Sequence, residues 1–85
     1  MGDPEINRDY RLVRREGGQL LVANFLRYED GSGFVVADGW HISFELDQTT
    51  WRRYWKDLST RGYVEVSEAL RLGSISADEY EKTKA

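Results

Sequence analysis

The chain has no cysteine, one proline and one histidine in 85 residues. Without thiols it can form no disulfide, no cysteine nucleophile and no thiolate-bound metal centre. That composition suits a reducing compartment. The single histidine, His41, leaves only carboxylates as further metal ligands. The loop Glu29-Asp30-Gly31-Ser32-Gly33 lacks the alternating acids and closing glutamate of a calcium loop. It is also too short, and has no lysine, to cradle a phosphate. No apolar run approaches the ~18 residues that a membrane span needs. The first ten residues lack the basic-then-apolar order of a secretory signal, and Ile6 stands where a myristoylation signal requires Ser or Thr. A cytoplasmic protein with no cofactor, no metal and no membrane partner is the expectation.

Net positive charge is missing too. The formal charge is −3 at pH 7, which does not advertise nucleic-acid binding. The charge is uneven, however. Arg8, Arg11, Arg14 and Arg15 face only Asp9 within residues 8–15, whereas Glu65, Glu68, Asp78, Glu79 and Glu81 outnumber Arg71, Lys82 and Lys84 within 65–85. Such asymmetry predicts a local patch.

What is present suits one small globular domain. A chain of this length hides only about 60–65% of its unfolded surface, so large rings matter, and aromatic residues make up 13% of it. Residues 1–8 are polar, hold Pro4 and show no periodicity, so they read as a flexible lead-in to a domain spanning 9–85.

From Asp9 to Leu46 the turn signals Gly17-Gly18, Glu29–Gly33 and Asp38-Gly39 separate runs rich in Val, Leu, Phe and Tyr. Gly-Gly and Asp-Gly supply the positive φ angles of two-residue hairpin loops. The pattern predicts a four-strand antiparallel meander over 9–15, 19–28, 33–37 and 40–46, either open or curled toward a barrel. The two tight loops set Leu12 opposite Ala23, Tyr10 opposite Phe25, and Val35 opposite Ile42. A middle loop over 29–33 would set Tyr28 opposite Phe34 and Phe25 opposite Ala37. Alternation then defines two faces. Tyr10, Leu12, Leu21, Ala23, Phe25, Val35, Ala37, Trp40, Ile42 and Phe44 share the first. Arg11, Val13, Arg15, Leu20, Val22, Asn24, Leu26, Tyr28, Phe34, Val36, His41, Ser43 and Glu45 share the second.

Leu46–Val64 is where rings and bases crowd together. Trp51, Tyr54, Trp55 and Leu58 recur at the spacing of one helical stripe, while Arg52, Arg53 and Lys56 point elsewhere. The stripe predicts an amphipathic helix that covers the first sheet face, capped by Asp47 or Thr49. Gly62 would end it in a left-handed conformation, with Tyr63 touching Leu58. Two short helices follow. Val66, Ala69 and Leu70 mark the first, which ends at Gly73. The capping box of Ser76 and Glu79 opens the second, which runs through Lys84. The fold class is therefore α+β.

His41, Ser43 and Glu45 alternate on one strand face, but same-face neighbours stand about 6.5–7 Å apart, beyond hydrogen-bond reach. A water-facing polar edge explains them, and no catalytic set is expected. Leu70, Gly73, Ile75, Ser76, Glu79 and Tyr80 resemble the tail of short C-terminal oligomerisation modules. The same stretch is similar to a helix-turn-helix, although Asp78, Glu79 and Glu81 would repel phosphate.

The second face is anomalous. Leu20, Val22, Leu26, Tyr28, Phe34 and Val36 lie on a side that should be polar if left wet. Closure of the sheet, coverage by the last two helices through Leu70, Leu72, Ile75 and Tyr80, or a partner would each resolve it. The leading reading is a small non-enzymatic protein-interaction module, a homodimer or an assembly subunit, that binds through those six residues. A second is single-stranded nucleic-acid binding, with bases stacked on Tyr28 and Phe34 beside Arg11 and Arg15. A third is a small phage or mobile-element inhibitor of a host protein.

Overall fold

The computed structural model describes residues 2–37, 40–44 and 50–83, with backbone alone for 40, 42–44 and 50. The elements in order are β1 (Tyr10–Glu16), β2 (Gln19–Arg27), β3 (Gly33–Ala37), β4 (Trp40–Phe44), α1 (Thr50–Thr60), β5 (Val64–Glu65), α2 (Val66–Leu72) and α3 (Ala77–Lys82). The four long strands form the antiparallel meander, and β5 adds two residues beside β1. The sheet order is β4-β3-β2-β1-β5. The sheet is open and does not close into a barrel.

The Gly17-Gly18 loop sets the first hairpin. Both glycines take positive φ, 56° and 80°, as a type I′ turn requires. Tyr10 therefore opposes Phe25, and Leu12 opposes Ala23. Val35 opposes Ile42 across the third hairpin.

The middle connection differs from the expected register. The loop spans 28–32, not 29–33, and is flanked by the pair Arg27 and Gly33. Tyr28 N donates to the Ser32 carbonyl at 2.7 Å, and Gly31 N donates to the Tyr28 carbonyl at 3.1 Å. Asp30 Oδ1 accepts from Ser32 N at 2.9 Å, an aspartate turn that draws the closure one residue earlier. Leu26, not Tyr28, opposes Phe34, and Val35, not Ala37, opposes Phe25. Because the slip is an even number of residues, every side chain keeps its face.

On the first face Tyr10, Leu12, Ala23, Phe25, Val35 and Ala37 pack with Trp51, Trp55, Leu58 and Tyr63. The stripe of α1 is thus core. Trp55 lies edge-on to Tyr10, with ring centroids 5.0 Å apart, and 4.9 Å from Phe25. Gly62, at φ 93°, ends the helix in a Schellman motif. Tyr63 N donates to the Leu58 carbonyl and Gly62 N to that of Ser59, each at 3.0 Å. Asp47 and Thr49, the expected caps, lie outside the described residues, as do Glu45 and Leu46 of the expected fourth strand.

A second core lies on the reverse face. Val13, Val66, Ala69, Ile75 and Tyr80 cluster there, with Leu20 and Val22 packed against them. The expected cover through Leu70 and Leu72 is corrected, because both are exposed and Val66 and Ala69 take their place. The hinge explains this. Val64 pairs with Val13 and Glu65 with Leu12 in β5, so α2 starts over β1 with its Val66–Ala69 side inward.

The lead-in is anchored where fraying was expected. Pro4 is fully buried. Trp55 Nε1 donates to the Gly2 carbonyl and Glu5 N to the Tyr10 hydroxyl, both at 2.7 Å. Asn7 N donates to the Arg27 carbonyl at 2.8 Å.

Candidate docking surface on the second sheet face

The six apolar residues singled out on the second face fall into two groups. Leu20 and Val22 pack into the second core. Leu26, Tyr28, Phe34 and Val36 lie beyond the helices. Tyr28 is 43% exposed and Val36 38%, with Leu26 and Phe34 half-buried. Leu26 faces Phe34 directly, and Asn24 faces Val36. Phe34 meets His41 edge-on at 6.1 Å, which extends the patch onto β4.

The boundary between the groups has a physical cause. Ser76 caps α3 by accepting from Glu79 N at 3.1 Å. The Glu79 carboxylate is held in return by the Ser76 backbone, as the capping box predicts. It also takes a two-pronged ion pair from Arg15 of β1, with Nη2 to Oε2 at 3.0 Å. Arg15 Nη2 also donates to the Ser74 carbonyl at 3.2 Å. The α2–α3 turn is thereby clamped over the β1–β2 hairpin. The Arg15 guanidinium holds the Glu79 carboxyl below its ordinary pKa, and Glu79 raises that of Arg15.

Both arginines of the nucleic-acid reading have acidic neighbours. Arg15 is held by Glu79, and Arg11 lies 3.6 Å from Asp9. Tyr28 and Phe34 are not directly opposed. His41 is exposed. Ser43 is described by its backbone alone, and Glu45 lies outside the described residues. No group of carboxylates and histidine suited to a metal ion occurs among the described residues. No helix among them is long and apolar enough to cross a membrane.

Two other features escaped the sequence. An open groove of about 550 Å³ runs between the lead-in and α2, and Arg8 is the one base in its lining. Arg8 bridges Glu5 and Glu65 at 3.2 Å each and lies over the Tyr10 ring at 4.6 Å. Arg27 is the second feature. It continues the apolar file Leu21-Ala23-Phe25 on the first face, and its guanidinium stacks on Trp51 at 4.0 Å from the ring centroid. An arginine in an apolar file was the available signal, because such a side chain needs a ring or an acid beside it.

The domain is thus an α+β fold with an open antiparallel sheet, whose described residues pack against α1 on one face and against α2 and α3 over part of the other. No protein-family model, curated protein or solved structure matches the chain.

Proposed function

We propose that the domain is a non-enzymatic protein-interaction module that docks through the open half of the second sheet face. Leu26, Tyr28, Phe34 and Val36 are the contact residues, and a second copy of the chain is the first partner to test. The supporting observation is the division of that face. Its own helices cover Leu20 and Val22, yet leave Tyr28 and Val36 about two-fifths exposed beside Leu26 and Phe34.

Water-facing sheet surfaces are ordinarily polar, and contiguous apolar area marks an interface. Two copies related by a two-fold axis would present the same patch to each other. Their sheets would stack about 10 Å apart, with the α2–α3 units flanking the contact.

Sedimentation velocity across the micromolar range tests this. The expected result is a concentration-dependent dimer that becomes monomeric in Val36→Asp without loss of thermal stability, since Val36 is exposed in the free fold. A strict monomer at high micromolar concentration, with Val36→Asp unchanged in solubility and stability, removes the case for this surface.

A further inference from the structure

Most arginines of this chain are engaged by acids. Arg8 pairs with Glu5 and Glu65, Arg11 with Asp9, Arg14 with Glu16, Arg15 with Glu79, Arg61 with Asp57 and Arg71 with Glu68. Among the described residues Arg27, Arg52, Arg53, Lys56 and Lys82 have no such carboxylate. Lys82 lies on α3, and the other four collect in one place. Arg27 and Arg52 both stack on Trp51, at 4.0 and 5.2 Å from the ring centroid. Arg53 and Lys56 are exposed on α1, and Lys56 follows Arg52 by one turn.

The uneven use of acids has an energetic meaning. Like charges one turn apart destabilise a helix. The chain has an excess of acids, 15 against 12 bases, yet none of the described acids neutralises this stripe. A cleft of about 230 Å³ opens beside it, lined by Ile6, Arg27, Tyr28, Glu29, Trp51 and Arg52. Ile6 is 47% exposed and gives the cleft an apolar wall. Arg27 Nε is buried there without a hydrogen-bond partner among the described residues.

We infer that the outward face of α1, together with Arg27, recognises an acidic segment of a partner protein. Carboxylates of that segment engage Arg52, Arg53 and Lys56, and an apolar side chain beside them enters the cleft against Ile6 and Tyr28. This surface lies on the α1 side of the sheet and shares only Tyr28 with the proposed docking face. Nucleic acid fits it less well. Nucleic-acid binders commonly neutralise about 6–10 phosphates, more than this stripe offers. Trp51 is buried to 5% exposure and cannot stack a base.

The test is fluorescence anisotropy with a short labelled peptide of glutamates interspersed with leucines, run against a labelled single-stranded oligonucleotide of equal net charge. The peptide should bind at low salt and lose affinity as salt rises. Arg52→Glu with Arg53→Glu should weaken it by at least about tenfold, whereas Arg71→Glu should not. Arg53→Glu with Lys56→Glu leaves the Trp51 stack intact and should act in the same direction if the first pair disturbs folding. Val36→Asp should leave peptide binding unchanged, so failure of the sheet-face reading and failure of this one are distinguishable. No peptide binding at low salt, binding indifferent to the Arg53 and Lys56 reversals, or tighter binding of the oligonucleotide would each overturn the inference.

Discussion

The indole of Trp55 donates from Nε1 to the carbonyl oxygen of Gly2 at 2.7 Å, joining the lead-in to α1 across 53 residues of sequence. The same ring packs on Tyr10 and Phe25, and the Tyr10 hydroxyl accepts from Glu5 N. One aromatic cluster therefore fixes the sheet, the helix and the lead-in at once. Trp55→Ala should cost about 3–5 kcal/mol by urea denaturation. Trp55→Phe keeps much of the ring and should lose roughly 1 kcal/mol for the missing hydrogen bond. Removing residues 1–3 should destabilise the wild type but add little in the Trp55→Phe background, because the two changes break the same contact.

Gly62 gives a cleaner measurement of backbone strain. A methyl group there would meet nothing within 4 Å, so substitution produces no clash. Its φ of 93° is the obstacle. Gly62→Ala should destabilise by about 1–2 kcal/mol, and Gly62→Asn by less, since asparagine tolerates left-handed geometry. Amide exchange at Tyr63, whose N–H closes the motif on Leu58, should accelerate more in the alanine variant.

Local signals made most of the fold legible. Gly17-Gly18 set the first register, and the four-residue spacing of Trp51 and Trp55 marked the buried side of α1. What was hidden depended on contacts between distant segments. The middle loop carries two overlapping turn signals, and only the Asp30–Ser32 bonds choose between closures at 28–32 and 29–33. Arg15 and Glu79 stand 64 residues apart. No periodicity reveals that their pairing holds the α2–α3 turn against β1. Leu70 was the natural choice for the cover because its spacing from Val66 is helical, but the β5 pairing rotates α2 so that Leu70 stays 38% exposed. The lead-in shows no pattern at all, since the contact that anchors it, Trp55 Nε1 to the Gly2 carbonyl, spans 53 residues.

The Arg15–Glu79 clamp carries a pH dependence with a definite sign. Arg15 holds the Glu79 carboxyl below its ordinary value, chiefly through their hydrogen bond. A carboxyl depressed in the folded state contributes stability above its unfolded pKa, and that contribution is lost as pH falls through the lower folded value. Glu79→Gln should therefore destabilise at neutral pH and approach wild-type stability below the ordinary glutamate range. Thermal melts across that range give the comparison. Equal destabilisation at all pH values would mean that the charge of Glu79 contributes nothing to the clamp. Because the pair is partly exposed, added salt should shrink the effect.

The two cores should also part company under mutation. Tyr80 is the one buried side chain of α3, and it packs with Val13, Val66, Ala69 and Ile75 away from the tryptophans. Tyr80→Ala should release α3 while the first face, centred on Phe25, Trp55 and Leu58, stays packed. Amides of α3 should then lose exchange protection while tryptophan fluorescence remains native. Leu20 and Val22 would join Leu26, Phe34 and Val36 in one larger apolar surface, so dye binding and self-association should rise. Leu58→Ala, in the first core, should instead lower global stability by about 2–5 kcal/mol. Loss of the tryptophan signal together with α3 protection in Tyr80→Ala would show that both faces fold as one cooperative unit. The extent of the open apolar surface would then be set by global stability and not by how the last two helices dock.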